Sequence, residues 1–414
     1  MNRRAVALVS GGIDSILSIR LLQDQGIEIH GLNLKGTFNC CKDDAARTAA
    51  LLGIPITILT EGPEYLQLIE NPRYGWGHGA NPCTDCRIYM FDLARKFMEQ
   101  IGASFVVSGE VLGQRPNSQR RDCFASIERD TDLRGLILRP LSARLLAPTK
   151  PEAAGIVDRT LLHAIQGRSR KPQMALAARY GIDEIPTPST GCMLTEDAIA
   201  NRIKDHLSRG EHLDPWIAES TKFGRHFRIT EDSKAIVGRN EIENLRLREL
   251  YDTAGDREPA PVFLHPRDFR GPDALVIGEA TPDVLETTGG LMLRYAKETS
   301  GEAREIEVTR RGGGDLLTVS YALDDAAIAS LRIPDTHIAG GFRPARPEVP
   351  RPEVTRPEVP RPEVPRAARA EPENARADHE NARADSENAR ADAENARADH
   401  ENARADKNLT GEAP

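Results

Sequence analysis

Several things are scarce in this chain of 414 residues, and each scarcity closes a door. No apolar run approaches the ~18 residues of a membrane span, and Met1-Asn2-Arg3-Arg4 is followed by no signal-peptide core. The expectation is a cytoplasmic protein with no membrane partner. Six cysteines are too few for a disulfide framework at this length. In a reducing compartment, their clustering suggests metal or sulfur chemistry instead. Hydrophobic content is 39%, below the globular norm of roughly 45–50%. The deficit sits mostly in the C-terminal tail, so the front of the chain can still build a core. Net charge is -8, so no global cationic field is present, although a local basic face is compatible with it. No Gly-Lys dipeptide occurs, which excludes a Walker A loop.

What is present begins with Ser10-Gly11-Gly12-Ile13-Asp14-Ser15. An apolar run, Ala5 to Val9, precedes it and an amphipathic run, Ile16 to Leu22, follows. That order is strand, glycine turn, helix. Consecutive N–H groups in such a turn, with the positive end of the helix, suit a phosphate. Gly11 and Gly12 remove the side chains that would block an anion. The hydroxyls of Ser10 and Ser15 can add to that anion site, and Asp14 can orient the loop or help place Mg²⁺.

Strands are expected at Ala5–Val9, Glu28–Leu34, Pro55–Leu59, Ser104–Ser108 and Leu136–Leu141. Helices are expected at Asp14–Gln25, Asp43–Leu52, Cys83–Ile101, Pro151–Ile165, Pro172–Tyr180 and Glu196–Leu207. The alternation predicts an α/β, Rossmann-like parallel sheet over residues 1–210, with ligands beyond the carboxyl ends of its strands. From Phe223 short strands alternate with turns, at Gly224–Ile229, Lys234–Val237, Val262–Leu264, Ala274–Ile277, Glu305–Thr309 and Leu316–Tyr321. With a helix at Gly289–Lys297 they predict a smaller α+β domain over residues 223–340. Residues 343–414 are Arg-Pro-Glu-Val-Pro and Glu-Asn-Ala-Arg-Ala-Asp-X repeats, which read as a disordered solvated tail or a partner-docking segment.

Cys83-Thr84-Asp85-Cys86 lies at a helix start, where the helix field favours thiolate and predicts lowered thiol pKa values. Cys192 follows in a second turn-rich loop. Three thiolates suit a cluster with one open iron site, such as [4Fe–4S]. Zinc would need a fourth ligand, with His78 nearest. A Cys83–Cys86 redox disulfide, persulfide-bearing cysteines and plain structural thiols stay open beside these. Cys40-Cys41, beside a strand end, could face the ligand edge of the sheet or simply pack, and Cys123 reads as a core residue. Gly167-Arg168-Ser169-Arg170-Lys171 is a basic loop, suited to a phosphate or to open solvent.

The glycine turn resembles the pyrophosphate loop of the adenine-nucleotide alpha-hydrolase (PP-loop) group, which cleaves ATP between its α- and β-phosphates. Gly109-Glu110-Val111-Leu112-Gly113-Gln114 with Ser118-Gln119, and Leu138-Arg139-Pro140-Leu141, resemble segments of tRNA 4-thiouridine synthases. Asn81-Pro82-Cys83-X-X-Cys86 and Ser189-Thr190-Gly191-Cys192 resemble the two cysteine loops of tRNA 2-thiouridylases. Cys83 stands where many of those carry aspartate, a departure that favours the three-cysteine cluster. The resemblance implies a tRNA thiolation enzyme using ATP and Mg²⁺, with Gly109 and Gln114 at the nucleotide, Asp14, Cys86 and Cys192 catalytic, and Cys83, Cys86 and Cys192 as metal ligands. No N-terminal RNA-binding module is expected before Ala5, and no rhodanese domain. Lys234-Ala235-Ile236-Val237-Gly238-Arg239-Asn240, with Leu293-Arg294-Tyr295-Ala296-Lys297, resembles the RNA-binding domain of NFACT proteins. Arg225, Arg228, Lys234, Arg239, Arg246 and Arg248 are dense enough there for phosphate contacts.

The reading is an ATP-dependent tRNA sulfurtransferase. It adenylates a uridine carbonyl oxygen and replaces it with sulfur from hydrosulfide or a persulfide carrier. A homodimer is an open expectation. The rivals are an amide- or amine-forming ligase of the same fold, and a non-catalytic RNA-binding adaptor.

Overall fold

Ala5 and Ala7 of strand β1 (Arg4–Leu8) pack into one apolar cluster, and Val6 and Leu8 into another. That period of two is the mark of a strand covered on both faces. The computed structural model describes residues 1–38, 44–182, 191–297 and 302–336. In it β1 is the middle of a five-stranded parallel sheet. Helix α1 (Ile13–Gln23) leads to β2 (Glu28–Lys35), α2 (Asp44–Leu52), β3 (Ile56–Thr60), α3 (Pro63–Glu70) and α4 (Cys83–Gln100). Then come β4 (Phe105–Ser108), α5 (Arg121–Asp130) and β5 (Ile137–Leu138). The strand order β3-β2-β1-β4-β5 is the doubly wound arrangement, with its switch point between β1 and β4. Ile16 and Ile19 of α1 cover one face; Phe91, Ala94 and Phe97 of α4 cover the other. Phe91 is fully buried, so truncating it to alanine would cost about 3–5 kcal/mol.

The expected helix over Pro151–Ile165 is not formed. A single turn, α6 (Lys150–Ala153), starts on a Thr149/Glu152 capping box and stops at Gly155, whose φ is +66°. Asp158 then turns the chain by accepting from the Thr160 N–H at 2.8 Å. The strand expected at Leu136–Leu141 shrinks to two residues, because Pro140 has no N–H to give a ladder. α7 (Lys171–Arg179), α8 (Asp197–Leu207) and α9 (Pro215–Ser220) complete this half. The tail repeats, Cys40-Cys41, Ser189 and Thr190 lie outside the described residues.

The second sheet is antiparallel and six-stranded, in the order β11-β10-β8-β9-β7-β6. Its parts in sequence are β6 (Arg225–Arg228), β7 (Ser233–Val237), α10 (Glu241–Asp252), β8 (Val262–Pro266), β9 (Ala274–Gly278), α11 (Pro282–Arg294), β10 (Arg304–Arg310), β11 (Gly313–Val319) and α12 (Asp325–Leu331). α11 starts seven residues before the expected Gly289, capped by the Thr281 side chain. Val284, Leu291 and Ile328 pack on one face of the sheet; Leu247 and Leu250 of α10 pack on the other.

Both sheets belong to one compact unit, Met1–Pro347. α8 joins them. Arg202, 2% exposed, donates to the carbonyls of Thr221 (2.7 Å) and Gly224 (3.0 Å) and to Asp335 (2.9 Å). Asp205 pairs with Arg228 of β6. Among the described residues, no helix is long and apolar enough to cross a membrane.

Candidate functional site

The site lies where the carboxyl ends of β1 and β4 meet the start of α1. Gly11 takes φ +75°, and Gly12 is the N-cap of α1 without a side chain to close it. Ser10 is exposed. Ser15 is buried, and its hydroxyl donates to the Gly12 carbonyl at 2.7 Å, which braces the turn. Gly109 follows β4 immediately. A Cβ there would lie 2.7 Å from the Ser15 nitrogen and 2.8 Å from the Asp14 carbonyl carbon, so only glycine lets the two loops close. Gln114 donates its amide to Asp14 Oδ2 at 3.0 Å. The other oxygen, Asp14 Oδ1, is buried with no partner. A buried carboxylate oxygen left open is an acceptor in want of a cation or donor, so the residues fit Mg²⁺ at Asp14.

The cysteine side is built from α4 and two loops. Cys83 and Cys86 occupy the first turn of α4. The Ala80 N–H donates to the Leu194 carbonyl at 3.0 Å, joining the loop before α4 to the one after Gly191. Gly79 allows that approach, since a Cβ would stand 2.4 Å from the Leu194 oxygen. Cys86 and Cys192 thereby pack against one cluster, with Phe38, Tyr65 and Leu194. Asp85 fixes the preceding loop by accepting from the N–H groups of Arg73 and Tyr74, both at 3.0 Å.

One expectation needs correction here. The thiols are not acidified by the helix start. Burial pushes Cys83 up, Cys86 up to about 12 and Cys192 up to about 11, because desolvation of the thiolate outweighs the end field of one helix. Nor is a metal cage assembled. Among the described residues, no three His, Cys, Asp or Glu side chains form a metal-holding group. Cys83 donates to Asn81 Oδ1 at 3.1 Å, Cys86 lies 3.7 Å from the Tyr65 hydroxyl, and Cys192 lies 3.8 Å from the Phe38 carbonyl oxygen. His78 sits 3.8 Å from Asp197 and is largely exposed. Nothing in this arrangement supports an iron–sulfur cluster or zinc, and no chemistry is routed through either. Cys123 is buried on α5, as expected of a packing residue.

Glu110 connects the two sides. It faces Arg139 at 3.1 Å and Arg87, the neighbour of Cys86, at 3.5 Å. Arg139 also reaches Glu128 at 2.8 Å and stacks 3.8 Å over Phe124. Arg115 was not singled out by sequence reasoning. It is exposed, it feels the Asp14 carboxylate, and its charge lowers Cys83 and Cys192 against the effect of burial. Its place directly after Gln114 was the available signal.

The basic residues of the second sheet are mostly engaged internally. Lys234 is 3% exposed and Arg228 is paired with Asp205, so neither is presented to a phosphate. Arg225 stacks on Tyr295 at 4.3 Å and Arg248 on Phe263 at 4.0 Å. Arg239 faces Glu243 at 3.7 Å, and Arg246 lies 5.6 Å over Phe223.

Residues 3–133 match the family model of the tRNA methyl transferase HUP domain, and residues 224–329 that of the NFACT protein RNA binding domain. The tRNA-specific 2-thiouridylase MnmA of Magnetococcus marinus is 30% identical over 135 residues, 28% of this chain and 38% of that protein. The enzyme of the same name from Thermosynechococcus vestitus is 28% identical over 222 residues, 50% of this chain and 55% of that protein. The chain thus spans between a third and just over half the length of such relatives. A predicted subunit of tRNA methyltransferase from Methanocaldococcus jannaschii aligns at 18% identity and TM-score 0.26, over 33% of this chain and 67% of that one. The parallel-sheet half is a Rossmann-like, doubly wound domain by its strand order, and its glycine turn sits at the switch point. More particularly, it is similar to the HUP domain of the 2-thiouridylases, and the antiparallel half is similar to the RNA binding domain of NFACT proteins.

Proposed function

We propose that the protein is an ATP-dependent tRNA sulfurtransferase, with residues 1–210 as the catalytic domain and 223–340 as the RNA-binding domain. The observation that carries this reading is the closure of Gly109 and Gln114 onto Asp14, beside a thiol pair held by the same sheet edge. ATP lays its β- and γ-phosphates on the Ser10–Ser15 turn and the start of α1. Mg²⁺, held at Asp14, would neutralise phosphate charge. A uridine carbonyl oxygen attacks the α-phosphate, and pyrophosphate leaves. The carbon–oxygen bond now ends in AMP, a good leaving group.

Sulfur arrives as hydrosulfide or as a persulfide on Cys192 or Cys86. The outer persulfide sulfur bonds to the activated carbon and AMP departs. The second cysteine then attacks the first cysteine's sulfur. The old sulfur–sulfur bond gives its electron pair to the uridine, which becomes a thiocarbonyl. A Cys86–Cys192 disulfide remains, and an external thiol reductant must reopen it. With hydrosulfide as donor no disulfide forms. The high thiol pKa values keep both cysteines protonated at rest, and Arg115 is placed to favour thiolate at Cys192 once the site is engaged. The test is incubation of the chain with unmodified tRNA, ATP and sulfide, followed by nucleoside mass spectrometry. A thiolated uridine dependent on ATP is expected. AMP production with no thiolated nucleoside would refute the reading.

A further inference from the structure

The basic loop at Gly167–Lys171 is part of the same site edge. Its Gly167 N–H donates to the Leu112 carbonyl at 2.8 Å, and Gln166 bridges Leu112 in parallel. Leu112 is two residues before Gln114, which holds Asp14. Ser142 locks the join, accepting from the Leu112 N–H at 2.9 Å and donating to the Ile165 carbonyl at 2.7 Å. The loop runs directly into α7, which has no side-chain cap. Leu176 and Ala177 of α7 pack with Ile13 and Leu17 of α1. At the far end, Tyr180 bonds Asp24 at 2.8 Å. The two helices therefore run side by side with their N-termini at the same edge, one carrying the glycine turn and the other the basic loop.

Two independent features mark this edge as a binding place. Gln173 shares the α1-facing stripe with Leu176 and Ala177. It is fully buried, and neither its amide nitrogen nor its oxygen has a partner. A buried amide left open on both ends is costly unless a water or a ligand group completes it. Arg168, Arg170 and Lys171 are the second feature. Among the described residues none of them faces a carboxylate, although arginines elsewhere in the chain are extensively ion-paired. Arg168 and Lys171 are also exposed.

We propose that Gly167–Gln173 is a phosphodiester-binding subsite for the RNA substrate, next to the nucleotide site. This rests on the sulfurtransferase reading above. The glycine turn already accommodates the phosphates of ATP. The nucleotide whose oxygen attacks the α-phosphate must bring its own backbone alongside, and two polyanions side by side repel. Exposed, unpaired cations between them relieve that repulsion and position the acceptor.

The test uses the full chain and an unmodified tRNA transcript as probe. Arg168→Ala/Lys171→Ala is compared with wild type and with Lys96→Ala, a charge loss on α4 away from this edge. The double variant is expected to bind tRNA ~10-fold or more weakly, with a log–log salt slope shallower by about 1–2, whereas Lys96→Ala matches wild type. ATP affinity, measured without RNA, separates the two sources of phosphate. Unchanged tRNA affinity and slope would overturn the subsite while leaving thiolation by wild type intact. Lost ATP affinity with tRNA binding retained would overturn it too, by assigning the loop to ATP. A wild-type chain that binds no tRNA would instead sink the underlying reading, and the subsite with it.

Discussion

Glu110 and Lys234 are equally buried, at 3% exposure each, yet Glu110 faces two guanidinium groups and Lys234 has no hydrogen-bond partner. Glu110 stands just beyond the carboxyl end of β4, where two guanidinium groups match its charge. Lys234 stands in the joint between α8 and the antiparallel sheet. There Arg202, Arg228 and Lys234 crowd around Asp205 and Asp335, and burial lowers the pKa of His206 and His226. Burial, with help from Arg228, brings Lys234 down to about 8. Matched buried charge fixes geometry, whereas unmatched buried charge leaves stability dependent on pH.

The largest effect should come at the cysteines. Cys86→Ser and Cys192→Ser should each lower persulfide-dependent thiolation by about 100-fold or more, while ATP–pyrophosphate exchange persists. Loss of exchange in both would remove the division of labour between the two sides. In the joint, Arg202→Ala should destabilise by about 3–5 kcal/mol in denaturant melts, because three acceptors lose their donor.

Lys234→Met breaks the comparison in the opposite direction. Replacing an unpaired buried ammonium by an apolar chain should stabilise by about 1–4 kcal/mol near neutral pH. The sign with pH follows from the depressed value. The lysine penalty is full below about 8 and fades as pH rises toward the unfolded value of 10.5, so wild type and variant should converge over that window. A constant gap between their melting temperatures would contradict this. Gly109→Ala should weaken ATP binding by roughly 10-fold, since the Cβ must push the first turn of α1. The thiols contribute with the reverse sign, and only in the alkaline range. Folded-state values raised to about 12 and 11 give stability that is full below 9.0 and is lost as pH climbs through them. Cys86→Ser/Cys192→Ser should flatten that alkaline decline.

Much of this arrangement was legible in the residues. The apolar run before Gly11, the glycine pair and the following amphipathic run specify strand, turn and α1 locally, and they folded so. The convergence of Cys86 with Cys192 was suggested by resemblance, and the Ala80–Leu194 bond shows how it is made. Short helices such as α3 and α5 were missed because eight to ten residues give barely two turns of periodicity. The failure at Pro151–Ile165 reflects one residue, Gly155, whose left-handed backbone ends a pattern that otherwise reads as helical. Thiol acidity was misjudged because the helix field is visible in sequence and burial is not. Lys234 looked like a phosphate contact because strand alternation does not tell which face a second domain half will cover. Gly109 was marked, but its contact with Asp14 and Ser15 joins residues almost a hundred apart.

The most direct measurement follows the oxygen. A tRNA transcript carrying heavy oxygen at its uridine carbonyls is incubated with ATP, sulfide and the full chain, and the AMP is weighed by mass spectrometry. Heavy oxygen is expected to appear in AMP in step with thiolated uridine. Heavy oxygen retained in the RNA while AMP accumulates unlabelled would contradict it.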